Sequence, residues 1–140
     1  MHFISHSTAE TEQFAQQLAS KLQAGDVIAC RGGMGVGKTA FTRGLTRGLG
    51  LGDDVSSPTF ALVHEYTQGQ IPLFHFDMYR VCGFDELYST GFFDYLEQGG
   101  ILLIEWSENI EGALPDGVIT LTISRIDDDT REITIEGERF

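Results

Sequence analysis

Basic residues are scarce in this 140-residue sequence: 9 lysine and arginine residues stand against 21 aspartate and glutamate residues, which gives a formal net charge of −12. A surface this negative repels a phosphate backbone, which argues against a protein that binds nucleic acid on its own. Action on nucleic acid through a basic partner stays open, because an acidic face suits docking to a basic protein surface.

Cysteine is also scarce, and the two residues Cys30 and Cys82 do not make a disulfide framework. No apolar run approaches the roughly 20 residues of a membrane span. The first residues lack the cationic segment and apolar stretch of an export signal. We therefore expect a cytoplasmic protein. Hydrophobic residues make up 41% and charged residues 21% of the chain, an ordinary globular composition, and residues 1–140 fit a single domain.

Helix-like and strand-like patterns alternate along the chain. Apolar spacing predicts helices over about 8–23 and 39–49 and two short helices over 84–90 and 92–98. Apolar or alternating runs predict strands over 27–30, 59–66, 71–76, 101–104, 118–124 and 131–136. The last two strands flank an acidic turn and are expected to pair. This order predicts an α/β fold with a mainly parallel sheet flanked by helices and a C-terminal antiparallel strand pair.

One segment matches a known chemical motif. Residues 32–39 read Gly-Gly-Met-Gly-Val-Gly-Lys-Thr and fit G-x-x-x-x-G-K-[ST], the phosphate-binding loop or P-loop. A β-branched apolar strand precedes the segment and a helix follows it, which is the context that such a loop requires. We therefore predict a domain of the P-loop NTPase kind that binds a nucleotide.

The residue types of this loop explain its chemistry. Glycines let successive backbone N–H groups turn inward around the phosphates, and the following helix points its positive dipole end at them. Lys38, one of only two lysines in the chain, reaches the β- and γ-phosphates, and Thr39 offers a hydroxyl to Mg²⁺. The predicted ATP-binding residues of the loop are Gly33, Met34, Gly35, Val36, Gly37, Lys38 and Thr39.

A P-loop needs a carboxylate at the end of a neighbouring strand to complete the metal site. Glu105 follows the apolar run 101–104, and Asp77 follows the weaker run 71–76. Both are expected to line the cleft beyond the carboxyl ends of the strands, where open α/β sheets bind ligands. The alternative for each is an ordinary surface acid at a strand end.

Two further groups are candidates for phosphate contacts. The hydroxyls of Ser56-Ser57-Pro58-Thr59 either sense the γ-phosphate as a switch loop does or belong to a simple turn before a strand. Arg43 is a candidate for stabilising phosphate charge, as are Arg47 and Arg80. Arg43 and Arg47 lie four residues apart on one predicted helix, so a solvated helix face is the alternative.

The sequence argues against two common classes of P-loop protein. The only asparagine is Asn109, without a neighbouring lysine, so the Asn-Lys-x-Asp element for guanine is missing and ATP is the expected nucleotide. No lysine or arginine occurs between Arg80 and Arg125, so the arginine-bearing lid of small-molecule kinases is not visible. A small-molecule kinase and a non-hydrolysing, nucleotide-gated interaction module remain the alternatives to an ATPase.

Several motifs together resemble the bacterial TsaE family, the ATPase subunit of the machinery that makes threonylcarbamoyladenosine in tRNA. The likeness runs in order over most of the chain, from about Glu10 to Pro115. Gly33 and Met34 stand where that family usually has an acid and a leucine. The motifs are the loop 32–39, Phe41-Thr42-Arg43-Gly44-Leu45, Ser57-Pro58-Thr59-Phe60, His75-Phe76-Asp77-Met78-Tyr79-Arg80 and Glu105-Trp106.

The resemblance implies a small P-loop ATPase with weak activity alone. It would work with the threonylcarbamoyl transferase and that subunit's scaffold paralogue, and it would reach tRNA only through this complex. By position, Thr39 and Glu105 would hold Mg²⁺, Lys38 and the loop amides the phosphates, and Asp77 would be needed for hydrolysis. Thr11 matches a position close to the adenine of ATP/ADP.

Overall fold

The computed structural model describes residues 1–31, 37–52 and 62–140. Its helices lie either side of one sheet, and a pair of 3₁₀ turns spans Ser107–Ala113 with a kink at Ile110. The strands are β1 His2–Ser5, β2 Val27–Arg31, β3 Val63–Tyr66, β4 Leu73–Asp77, β5 Ile101–Glu105, β6 Ile119–Arg125 and β7 Arg131–Glu136. The helices are α1 Thr8–Ala19, α2 Lys38–Gly48, α3 Phe84–Ser89 and α4 Phe92–Leu96.

The seven strands form one sheet in the order β1-β7-β6-β2-β5-β4-β3. The four central strands β6, β2, β5 and β4 are parallel, whereas β3, β7 and β1 join antiparallel at the two sides. β6 and β7 form the C-terminal antiparallel pair around an acidic turn. The predicted α/β fold is therefore confirmed, with the parallel part of the sheet at its centre.

The central strands are apolar because helices cover both faces of the sheet. On one face, α1 and α2 pack over a core that contains Ile28, Cys30 and Leu103. On the other face, α3 and α4 pack over a second core that contains Phe76 and Ile104. None of the helices in the described ranges is long and apolar enough to cross a membrane.

Several elements differ from the sequence prediction: the 3₁₀ segment was not predicted, and α4 ends at Leu96, short of residue 98. β1 was not predicted, because it is a four-residue edge strand whose pairing with β7 joins opposite ends of the chain. The first helix ends at Ala19, short of residue 23, because the N–H of Leu22 donates to the carbonyl of Ala19, three residues back. Leu22 is nevertheless buried in the core, as its apolar spacing predicts.

α1 and α2 pack closely because α2 carries glycine at the contact. A Cβ atom at Gly44 would lie 2.2 Å from the carbonyl oxygen of Glu12 and 2.7 Å from the Cβ of Ala15. These atoms belong to α1 itself, so a methyl group has no space unless the two helices separate. The close packing fixes α2, and with it the start of the helix that follows the P-loop.

We expect Gly44→Ala to lower the free energy of unfolding by about 3 kcal/mol, because overpacking forces the backbone to shift. Gly112→Ala is the matched control: its Cβ would have no atom within 4 Å, and we expect a change within about 0.5 kcal/mol. Urea unfolding of both variants measures the difference. Equal stabilities would contradict the close helix contact.

Candidate nucleotide-binding site

The start of α2 has the backbone expected at the end of a P-loop. Gly37 is the N-cap residue and has a φ of 102°, in the left-handed region that favours glycine. No side chain caps this helix within the part of the chain that the structure describes. The first N–H groups of a helix lie at the positive end of its dipole, where proteins commonly bind anions.

Lys38 and Thr39 occupy the first turn of α2 in two different environments. The Lys38 side chain is only 7% exposed, and its carbonyl accepts a hydrogen bond of 2.7 Å from Thr42 Oγ1. Thr39 is exposed. Lys38 is thus a buried residue at the start of α2, and Thr39 beside it is open to the surface.

Asp77 and Glu105 lie side by side at the carboxyl ends of two parallel strands. They are register partners in the β4–β5 pair, and neighbouring strands are about 4.8 Å apart. Because side chains alternate along a strand, both carboxylates face the same side as Leu73 and Leu103, which belong to the core under α1 and α2. The two predicted acids therefore share the face of the sheet on which α2 begins.

Charged groups near the buried Cys30 thiol affect its pKa. Burial raises its pKa most, the Glu105 carboxylate raises it further, and the Lys38 ammonium lowers it. The thiol is thus protonated and does not act as a nucleophile. Lys38 and Glu105 are thus both close enough to Cys30 for their charges to act on its thiol.

His75 contributes a contact that the sequence analysis did not assign. The ring is 1% exposed, and its Nε2 lies 2.9 Å from Glu105 Oε2, within ion-pair distance. Neither ring nitrogen makes a hydrogen bond of acceptable geometry with the described residues. His75 lies two residues before Asp77 on β4, so the alternation that places Asp77 at the site is the signal that also identifies His75.

The segments after β4 and β5 are tied together beside the two acids. Asn109 Nδ2 donates to the carbonyls of Met78 at 2.9 Å and Tyr79 at 3.2 Å. The Tyr79 and Trp106 rings lie 5.0 Å apart. Trp106 has a φ of 58° and is the one non-glycine residue with positive φ in the described ranges. Such backbone strain is typical of functional sites.

Thr11 lines a polar cavity next to the end of the P-loop. The cavity, of about 180 Å³, lies between the start of α1, the start of α2 and the β6–β7 turn, and Gly37 is also part of its lining. Thr11 is buried, and its hydroxyl shares a hydrogen bond of 2.7 Å with that of Ser5. The structure thus brings Thr11 to the same cavity as Gly37, and its adenine contact stays a prediction.

Arg43 points toward α1 in this structure. Its guanidinium donates to Glu12 Oε1 at 2.7 Å, and Arg47 lies 3.9 Å from Glu12 Oε2. The ion pair holds the two helices together and would have to open before Arg43 reached a phosphate. A role for Arg43 in ATP binding stays a prediction.

Some predicted positions lie outside the described residues. These are Gly33, Met34, Gly35 and Val36 of the loop and Thr59 of the Ser-Pro-Thr segment. Their predicted contacts with ATP stay predictions.

The residues at the site fit Mg²⁺. Within the described ranges, no three His, Cys, Asp or Glu side chains cluster to hold a metal by themselves. Mg²⁺ does not need such a cluster, because it is bound by one or two carboxylates together with substrate phosphates and keeps several waters. The Thr39 hydroxyl and the Glu105 carboxylate are oxygen donors of the required kind.

The family model described as "Threonylcarbamoyl adenosine biosynthesis protein TsaE" matches residues 5–133 of this chain. Three proteins named "tRNA threonylcarbamoyladenosine biosynthesis protein TsaE" are among its similar sequences. The protein of Bacillus subtilis (strain 168) is 42% identical over 94% of this chain and 83% of its own length. The protein of Treponema pallidum is 32% identical over 96% of this chain and 99% of its own length. The protein of Rickettsia typhi is 35% identical over 100% of this chain and 96% of its own length.

A solved structure is also similar over nearly the whole chain. The crystal structure of YdiB from Bacillus subtilis aligns with a TM-score of 0.78 and 35% sequence identity. The alignment covers 98% of this chain and 84% of the other.

Proposed function

This chain belongs to the TsaE family and so takes part in the biosynthesis of threonylcarbamoyladenosine in tRNA, and we propose that it does so as a Mg²⁺-dependent ATP-hydrolysing subunit. ATP hydrolysis would reset the modifying complex between catalytic cycles. The observation that carries the proposal is the pairing of the acids Asp77 and Glu105 at adjacent strand ends, on the face of the sheet on which α2 begins with Lys38.

The start of α2 supports binding of the nucleotide's phosphates. Lys38 and the uncapped N–H groups of the first helical turn supply positive charge and hydrogen-bond donors. The cavity lined by Thr11 lies beside Gly37, and we propose that it takes the adenine end of ATP. The predicted contacts of the loop amides complete the phosphate site.

The paired acids support hydrolysis. Thr39 and Glu105 would hold Mg²⁺, which neutralises charge on the β- and γ-phosphates when it is bound. Asp77 accepts a hydrogen bond of 2.9 Å from the N–H of Tyr79, which holds one of its oxygens in place. The carboxylate of Asp77, held in this way, would position the attacking water.

The net charge of the chain is the reason why we expect its function to depend on partner proteins. With a net charge of −12, the chain repels tRNA, so a basic partner has to bring the two together. We propose that the partners are the threonylcarbamoyl transferase and its scaffold paralogue. Hydrolysis would be weak without them.

The test measures phosphate release from ATP by the chain alone, with the transferase and scaffold pair, and with that pair and tRNA. We expect the pair to raise turnover at least about tenfold, a change of about 1.4 kcal/mol in the barrier. Removal of Mg²⁺ should abolish the increase. No turnover in any mixture, with partner binding that still follows the nucleotide, would favour a nucleotide-gated module. Transfer of phosphate to a small acceptor would favour a kinase.

A further inference from the structure

An apolar pocket lies beyond the carboxyl ends of β4 and β5, outside the nucleotide site. Its volume is about 460 Å³, within the range of binding pockets. One wall comes from α3 and α4 and the other from the 3₁₀ segment Ser107–Ala113. The lining includes Phe84, Leu87, Phe93, Asn109, Ile110 and Ala113.

Aromatic side chains at the rim of the pocket are turned to solvent. Phe84 is 66% exposed and Tyr88 68% exposed. Their rings lie 6.3 Å apart, and each also contacts Phe93, at 5.6 Å from Phe84 and 6.3 Å from Tyr88. Large exposed aromatic groups around a pocket are typical of protein contacts, in which such residues supply most of the binding energy.

The surroundings of the pocket are acidic. Between Arg80 and Arg125 the chain has no lysine or arginine, although Arg31 from β2 pairs with Glu111 at 2.5 Å. Negative charge of this kind repels nucleic acid and anionic membranes and attracts a basic protein surface. The exposed acids that flank the pocket-lining residues in the chain are Asp85, Glu86, Asp94, Glu108 and Glu111.

The pocket is also connected to the two candidate acids. Its 3₁₀ wall begins two residues after Glu105, and Asn109 in that wall binds the carbonyls of Met78 and Tyr79, directly after Asp77. A group bound in the pocket would therefore contact the 3₁₀ segment, which follows Glu105 and is hydrogen-bonded to the residues after Asp77.

We propose that this pocket is the docking site of a partner protein that inserts an apolar side chain from a surface rich in lysine and arginine. The inference rests on the proposed function, in which the chain acts within a complex. Docking here would shift the segment around Asn109, which is hydrogen-bonded to the residues after Asp77. The shift would change the positions of Asp77 and Glu105 and so raise the rate of ATP hydrolysis.

The experiment uses the full chain and the purified transferase and scaffold pair as the probe. Binding is measured by calorimetry for wild type, Phe84→Ser and Tyr88→Ser. We expect each substitution to weaken binding at least about tenfold, as truncation of an aromatic anchor does. ADP affinity of the chain alone should be unchanged, which shows that the variants fold. Ile126→Ser is the matched control, because Ile126 is 55% exposed at the end of β6.

A second pair of variants tests the charge. Asp85→Asn with Glu86→Gln should weaken the binding and reduce its dependence on salt. Glu136→Gln with Glu138→Gln, at the end of β7 near the opposite edge of the sheet, should not. Wild-type binding by all pocket variants would overturn the docking site and leave the proposed function standing. Failure of wild type to bind the pair would overturn both. Self-association of wild type that Phe84→Ser abolishes would assign the pocket to a second copy of the chain and overturn the proposal.

Discussion

Lys38→Ala is expected to reduce the affinity for ATP and ADP about 100-fold and to abolish hydrolysis. Lys38 is the first residue of α2 and is 7% exposed. Hydrogen bonds to charged groups contribute about 1.5–3 kcal/mol each. The proposed contact of Lys38 with the β- and γ-phosphates would also stabilise the charge that develops during phosphoryl transfer. Calorimetry with ADP and phosphate release from ATP measure the two effects.

Two further variants separate lost charge from lost packing. Lys38→Met keeps most of the buried side-chain stem and should fold, yet it should lose nucleotide affinity to the same extent. Lys21→Ala removes the only other lysine, at the exposed end of α1, and should bind ADP as wild type does. Hydrolysis by Lys38→Met at the wild-type rate in the full complex would contradict the assignment.

Glu105→Gln is expected to lower Mg²⁺-dependent turnover at least about 100-fold, a loss typical of removing one preorganised electrostatic contact. The substitution keeps the size of the side chain and its place beside His75, so the strand end should stay intact. ADP affinity without Mg²⁺ should change little, because the proposed phosphate contacts come from α2 and the loop. Turnover as a function of Mg²⁺ concentration measures the effect.

Asp77→Asn and Glu136→Gln complete this comparison. We expect Asp77→Asn to lower turnover at saturating Mg²⁺ without shifting the Mg²⁺ concentration that it needs, since Asp77 is proposed to orient water. Glu136→Gln makes the same change of charge at an exposed position of β7 and should be neutral. Unchanged turnover of Glu105→Gln would make Asp77 the principal acid of the site.

Local patterns predicted much of this protein correctly. The apolar run 101–104 followed by an acid predicted β5 ending at Glu105, and the run before Asp77 predicted β4. The motif at 32–39 predicted the start of α2 to within one residue. These features are encoded by neighbouring residues, so spacing and residue type are enough to identify them.

Contacts between residues that are far apart in the chain were not predictable in the same way. Nothing local indicates that Arg43 pairs with Glu12 or that His75 lies against Glu105. Alternation along β4 predicts that His75 shares a face with Asp77. Only the pairing of β4 with β5 shows that His75 lies against Glu105. The partner of β1 at the other end of the chain is a similar case.

The sequence by itself determined the class of fold, the phosphate-binding motif and the two acids at strand ends, because each depends on residues close together in the chain. The tertiary structure alone decided that Asp77 and Glu105 are direct neighbours and that an aromatic pocket lies beside them. The order and register of β4 and β5 create the first feature, and the packing of α3 and α4 against the 3₁₀ segment creates the second. That order depends on burying the two faces of the sheet under helices from distant parts of the chain, which no local pattern specifies.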